Sequence, residues 1–376
     1  MPVRILHTAD NHVGLPFKQY PAVVRDKLVE ERFAALGRLV ETANERHADF
    51  FVVAGDLFDS TRATVQDIKK TAGVLRGFAG EAVIIVPGNH DHHTGPETEV
   101  WNRFRREIDG AANIDLLNMS VVKSYEVAGQ AVHFFPCPCP SKTGRDSTIG
   151  WVADAARERP DGLRIGIAHG NVTGLGLDAA DQYFNMEPAA LESAGVATWL
   201  LGHIHVPFPT AESGMQSPYF MAGTHTPDSL RCRHAGSAWW IECDGDRVTR
   251  YERLSPGRLR FVRIEREVCS ADDVAAVLAE CRSHEPARTI LDLQLSGRLS
   301  AAEKATLDGT IATLRPGFLH VGDESEIHGR IDAAQVAAIY SDDGLAAQLL
   351  MALLADEAHP DAATLAHELI QEVRNA

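Results

Sequence analysis

Asp10, Asn11 and His12 open a series of side chains suited to holding metal ions. Asp56 and Asp59 follow in GDLFD, and Asn89, His90 and Asp91 in GNHD. His169 stands in AHG, and His203 and His205 in GHIH. Carboxylates, imidazoles and a carboxamide are the mixed oxygen and nitrogen donors that Mn2+ and similar divalent cations take. A bridging carboxylate lets two such cations sit about 3.5–4 Å apart. In an extended chain, DxH and HxH put both flanking side chains on one side. Gly55, Gly88, Gly170 and Gly202 stand beside these residues and permit tight backbone bends close to a metal. One such motif alone is a weak signal, because a histidine at a strand end is more often structural. The set in this order is a strong one.

Each motif ends a short apolar run rich in Val, Ile or Leu. The runs are VRILHTAD (3–10), DFFVVAGD (49–56), AVIIVPGN (82–89), LRIGIAHG (163–170) and TWLLGHIH (198–205). Such runs read as strands buried on both faces. Apolar residues at helical spacing over 23–46, and a second stretch over 64–79, alternate with them. This is α/β organisation, and in such sheets sites form at the carboxyl ends of the strands. Hairpins are expected over 121–136, turning at Ala128-Gly129, and over 237–254, turning at Asp244-Gly245-Asp246.

Beyond Pro256-Gly257 the rhythm changes. Strands over 259–267, 288–297 and 317–325 bracket helices over 270–283 and 300–315, the second opening on a capping box from Ser300 to Glu303. Two tail helices, 342–358 and 361–375, meet at His359-Pro360 as an αα-hairpin. The expected domains are therefore 1–258, 259–325 and 326–376.

The chain has 376 residues, with 36 Lys+Arg against 52 Asp+Glu and a net charge of −16. That balance argues weakly against a general nucleic-acid coat, while a carboxylate-rich metal site fits it. Arg103, Arg105 and Arg106 form a local basic patch able to meet phosphate, or a solvated helix face. The last 51 residues hold nine acidic and two basic side chains, a better contact for protein than for DNA. The opening MPVRILHTAD lacks a signal-peptide core, and LAAQLLMALLA (345–355) is too short to span a bilayer, so a cytoplasmic protein without membrane contact is expected. Of six cysteines only Cys137 and Cys139 are close, without a second pair for structural zinc, so reduced thiols are expected.

The order DNH, GDLFD, GNHD, AHG, GHIH resembles the calcineurin-like metallophosphoesterases. ILHTADNHVG and VVAGDLFDS are similar to the Mre11/SbcD DNA-repair nuclease branch. The resemblance covers residues 1 to about 210, and less firmly the small module that looks like that branch's capping domain. It implies a four-layer αββα sandwich with a small β-α-β-α-β capping domain and a C-terminal helical hairpin. It implies two divalent metal ions, Mn2+ foremost. Asp10, His12 and His205 would hold one, Asn89, His169 and His203 the other, and Asp56 would bridge them. His90 would face the scissile phosphate, steadying charge or protonating the leaving oxygen, while water activated by the cations attacks in line. Asp59, a histidine in some members of the branch, is expected to orient His90 through its carboxylate. Asp91 is expected to brace its loop, and His92 and His93 to face solvent. Asn11 departs from the bulky residue common in the branch. His225, Arg231, Arg233 and His234 meet phosphate or belong to an ordinary polar loop.

The implied function is Mn-dependent exonuclease, with endonuclease activity as an extension, on DNA ends together with an SbcC/Rad50-like SMC-type ATPase. The stripe Leu345, Leu349, Leu350, Leu353 and Leu354 would dock on that partner or pack on the protein's own body. A homodimer, through helices within 62–110, is part of the same implication. Two alternatives keep the fold: a phosphodiesterase or phosphatase on a non-DNA substrate, and a non-catalytic DNA-end-sensing subunit. The intact ligand set argues against the latter.

Overall fold

The structure is a computed structural model describing residues 2–375 apart from 96–97, 128, 176–181, 211–217, 341–343, 357 and 360. Ala128 of the expected hairpin turn, Asp342 and Asp343 at the expected start of a tail helix, Glu357 within it, and Pro360 lie outside the described residues. So do Pro96 and Glu97 of the expected dimer segment. The chain divides into two compact units, Met1–Arg260 and Phe261–Ala376.

The first unit runs β1 (Val3–Thr8), α1 (Ala22–Glu45), β2 (Phe50–Ala54), α2 (Val65–Leu75), β3 (Ala82–Val86), α3 (Glu99–Glu107), β4 (Ile114–Leu116), β5 (Lys123–Val127) and β6 (Gln130–Cys137). It continues with α4 (Val152–Arg157), β7 (Leu163–His169), α5 (Pro188–Ser193), β8 (Thr198–Gly202), β9 (Tyr219–Met221), β10 (Ala238–Asp244) and β11 (Arg247–Leu254). Two sheets result, ordered β11-β10-β1-β2-β3-β4 and β5-β6-β7-β8-β9. β1 to β4 are parallel neighbours, as are β6 to β9.

Side-chain alternation explains the layering. Val3, Ile5 and Ala9 pack with Phe134, Ile165, Leu200 and Phe220 in a core between the sheets. Leu6, Phe51, Val53 and Ile85 point the other way, against Leu36, Ile68 and Trp101 of α1, α2 and α3. On the far side Phe135, Trp199 and Leu201 pack against Val152 and Leu191 of α4 and α5. Helices, sheet, sheet, helices is the expected four-layer αββα arrangement. Both faces of each central strand are covered, which is why those runs are continuously apolar. The short elements β4, β9, α4 and α5 were not foreseen, being too brief to show a period.

The second unit, described by itself, starts with β12 (Arg260–Val268), α6 (Ala271–Ser283), β13 (Thr289–Leu299), α7 (Ala301–Leu314), β14 (His320–Asp323) and β15 (Glu326–Gly329). β13 is central, flanked by β12 and β14, and it pairs with β15 as well. The Ser300–Glu303 capping box starts α7. Three helices follow, α8 (Ala333–Ile339), α9 (Leu345–Leu354) and α10 (Ala362–Asn375), where two were expected. The apolar stripe of α9 divides. Leu350 is fully buried with Val336 and Ala363, Leu353 and Leu354 are partly buried there, and Leu345 and Leu349 are exposed. Among the described residues no helix is long and apolar enough to cross a membrane.

Candidate metal centre

The first unit's two sheets deliver their motif residues to one place. Asp10 and His12 follow β1, Asp56 follows β2, and Asn89 and His90 follow β3. His169 ends β7, and His203 and His205 follow β8. All leave carboxyl ends of parallel strands. The loops are bent hard: Asp10, His12, Asp56 and His203 have φ of 50°, 40°, 52° and 101°. Positive φ costs a non-glycine residue about 1–3 kcal/mol, and the surrounding structure must enforce it. Here His12 N donates to Asp56 O at 2.9 Å, and Asp10 N to Gly55 O at 3.2 Å. His203 N donates to the Asp10 carboxylate at 3.0 Å, and His90 N to Asp56 Oδ1 at 2.8 Å. A Cβ on Gly55 would stand 2.0 Å from His169 Nδ1, and one on Gly88 2.3 Å from Asp56 Oδ1. Both positions admit only glycine.

The donor atoms converge. His12 Nε2 and His205 Nε2 are 3.2 Å apart. Asp56 Oδ2 lies 3.5 Å from His12 Nε2 and 3.2 Å from His169 Nε2. Asn89 Oδ1 lies 3.0 Å from His169 Nε2 and 3.2 Å from His203 Nδ1. Asp10 Oδ1 lies 3.7 Å from His205 Nε2 and 4.0 Å from His169 Nε2. Ligands about 2.0–2.2 Å from a cation sit roughly 3–3.5 Å from one another, so the spacing fits the group. Within 4.8 Å of one another lie donors of Asp10, His12 and His205, of Asp10, Asp56 and His169, and of His12, Asp56 and His90.

Hydrogen bonds behind the rings aim their lone pairs inward. His169 Nδ1 donates to the Ala54 carbonyl at 2.9 Å, a group that can only accept, so Nε2 is the nitrogen turned toward the converging side chains. His12 Nδ1 donates to Asp59 Oδ1 at 3.2 Å, and His205 Nδ1 to Asp228 Oδ2 at 2.5 Å. This corrects the expected role of Asp59, whose carboxylate serves His12. His90 Nδ1 instead donates to the main-chain carbonyl of Asp59 at 3.0 Å, leaving its Nε2 available. The His90 ring stands edge-on to His12, centroids 4.7 Å apart, and is partly exposed. Tyr183 covers His203, with ring centroids 4.8 Å apart.

Asp91 accepts from Gly88 N at 2.7 Å and Phe58 N at 3.0 Å, tying two motif loops together. His92 is half-buried rather than simply solvent-facing, donating to the Asn89 carbonyl at 2.9 Å, and His93 bonds Asn118 at 2.7 Å. Of the 223–236 loop, Arg231 and Arg233 are exposed, while His225 is buried on the Arg32 carbonyl and His234 bonds the His205 carbonyl. Asn11 is buried and hydrogen-bonded to Thr8, so it lines no groove wall. Cys137 and Cys139 are buried free thiols. The sequence reading missed Asp228 and Arg32. Arg32 is buried on α1 with Nε donating to Asn11 O at 2.8 Å, and a charged residue on that helix's apolar face was the available signal. No spacing rule marks Asp228.

The electrostatics favour a cation. Burial alone would lower His169, yet the charges of Asp56 and Asp10 raise it to about 9. Burial opposes His205 too, and Asp228 with Asp10 raises it. Burial would raise Asp56, but His169 and His12 hold it well below the usual carboxylate range. Burial and the neighbouring charge on His169 push His203 down to about 4. Burial and the neighbouring Asp56 push Asp91 up to about 7. The negative field that protonates His169 is the field a divalent ion would meet.

A profile of the calcineurin-like phosphoesterase family matches residues 3–207. The uncharacterized metallophosphoesterase YhaO of Bacillus subtilis (strain 168) is 28% identical over 211 residues, covering 53% of this chain and 48% of that protein. The DNA double-strand break repair protein Mre11 of Aeropyrum pernix is 25% identical over 285 residues, covering 70% and 64%. That of Saccharolobus solfataricus is 28% identical over 207 residues, covering 54% and 49%. The chain thus spans about half to two thirds of the length of these relatives. Strand-end donors from two facing sheets and a matching profile over more than half its length agree, and the chain belongs to the calcineurin-like phosphoesterase family.

Proposed function

We propose that the chain is a two-metal, Mn2+-dependent DNA nuclease of the Mre11/SbcD type that trims DNA ends. The observation carrying this reading is the convergent donor cage with an available His90 Nε2 beside it. Asp10, His12 and His205 would hold one cation and Asn89, His169 and His203 the other, with Asp56 available to both. When bound, such cations screen phosphate charge and lower the pKa of water. His90 would face the scissile phosphate and, as an imidazolium with a proton on each ring nitrogen, deliver the Nε2 proton to the leaving oxygen and become neutral, its Nδ1–H kept on the Asp59 carbonyl. Exposed Arg105 and Arg106 on α3, with Arg231 and Arg233, supply cations for a polyanion. Arg103 is engaged with Glu99.

The same reading takes an SbcC/Rad50-like SMC-type ATPase as partner, docked on the exposed Leu345 and Leu349 of α9 and Leu365 and Leu369 of α10. It takes a homodimer through 62–110 and a cytoplasmic location. A second reading is hydrolysis of small phosphodiesters by the same donor cage.

The test is Mn2+-dependent release of nucleotides from end-labelled linear duplex DNA by the wild type and His90→Ala. Release by the wild type, reduced about 10²–10⁴-fold in the variant with Mn2+ binding intact, is expected. Cleavage of bis-p-nitrophenyl phosphate without any DNA cleavage would favour the small-substrate reading. Equal DNA cleavage by both proteins would sink the role of His90.

A further inference from the structure

The imidazoles of the centre are not held alike. His169 and His12 are packed into the protein, their side chains 0% and 5% exposed, so their neighbours fix the ring planes. The His205 side chain is 34% exposed, and packing leaves it room to turn. What holds it is a hydrogen bond of 2.5 Å from Nδ1 to Asp228 Oδ2. Asp228 is itself fixed: its side chain is 12% exposed, and its Oδ1 accepts from Ser229 Oγ at 3.0 Å. His234 Nε2 donates to the His205 carbonyl at 2.7 Å, so the backbone beneath the ring is held by the same loop.

There is also an asymmetry between the halves of the centre. Both rings grouped with Asp10, His12 and His205, have a carboxylate behind Nδ1, from Asp59 and Asp228. On the other side His169 has the neutral Ala54 carbonyl, and His203 turns Nδ1 itself toward Asn89 Oδ1. A carboxylate behind an imidazole fixes the tautomer and strengthens the ring as a donor to metal.

We propose that Asp228 is a positioning residue that locks His205 as its Nδ1–H tautomer, and that with Asp59 it makes the Asp10–His12–His205 side the tighter of the two cation sites. This rests on the two-metal reading above. Asp228 acts through His205 and touches no substrate in this account. Its loop lies 23 residues beyond the last ligand motif, so the site extends further along the chain than its motifs do.

The experiment pairs two measurements on the wild type, Asp228→Asn and Asp228→Ala. The first is the free-Mn2+ electron paramagnetic resonance signal during titration of full-length protein. In the wild type two affinities are expected. In Asp228→Ala the tighter one weakens about 10–100-fold while the weaker is unchanged. Asp228→Asn, which keeps shape and an acceptor but not the charge, falls between them, and serves alone if the alanine variant does not fold. The second is the imidazole 15N spectrum of EDTA-treated protein, in which His205 shows a protonated Nδ1 in the wild type and mixed tautomers in Asp228→Ala. Folded variants with wild-type Mn2+ affinities and an unchanged His205 tautomer would overturn the proposal, as would equal weakening of both sites. A wild type that binds no Mn2+ overturns the two-metal reading and the site asymmetry with it, and the tautomer spectrum then decides the locking by Asp228 separately.

Discussion

At the scale of single residues, the side chains that converge were legible and their supports were not. Asp10, His12, Asp56, Asn89, His169, His203 and His205 announce themselves because motif spacing is local and each motif ends a strand. The supports depend on contacts across the fold. Asp59 meets His12 from 47 residues away, and Asp228 meets His205 from 23. The resemblance puts the Asp59 carboxylate on His90, whereas the His90 ring is held by a main-chain carbonyl that any residue at 59 would supply. A prediction separates the two roles. In Asp59→Ala the Mn2+ concentration for half-maximal phosphodiesterase activity rises about 10–100-fold, while activity at saturating Mn2+ stays within a few-fold of wild type. Lost activity at saturating Mn2+ with an unchanged metal requirement would mean that the carboxylate serves His90 after all.

At the scale of elements, buried strands were easy to place and short edge elements were not. β1 shows both what period-2 alternation gives and what it hides. Val3, Ile5 and Ala9 fill the space between the sheets, and His7 falls on the same face, fully buried. Burial lowers His7 to about 3. It lowers His225 similarly, helped by the charge of Arg32. An unfolded histidine titrates near 6.5, so below that pH the unfolded chain takes up protons that the folded chain refuses. The neutral rings therefore cost no stability above about pH 6.5, and stability falls as pH drops from there toward 3. Urea unfolding of the wild type and His7→Leu in EDTA should show a shallower decline for the variant between pH 6.5 and 4, the remainder belonging partly to His225. Parallel declines would show that His7 is not buried neutral. The tail makes a similar point about length. α8, with seven residues, has too few turns to declare a period, though its Asp332–Gln335 capping box is visible in the sequence.

At the scale of the whole molecule, the layer order was legible because each α/β alternation leaves its signature in apolar runs. Which sheet each strand joins was not, since β10 enters beside β1 from the far end of the first unit. That assignment matters for the centre. Asp10, His12, Asp56 and Asn89 come from one sheet, and His169, His203 and His205 from the other. A cation held by Asp10, His12 and His205, or by Asn89, His169 and His203, is thus a cross-link between two layers that otherwise meet across an apolar core. Unlike a disulfide it would not persist in the unfolded chain: it would bind the folded state, tying residue 10 to 205 and 89 to 203, and stabilise that state by mass action. Adding Mn2+ to EDTA-treated protein should raise the melting temperature progressively with metal concentration, with His205→Ala losing part of the gain; a melting temperature indifferent to Mn2+ would sink the idea. The centre is then a reversible staple, and the availability of metal in its surroundings sets how firmly the two halves of the sandwich are fastened.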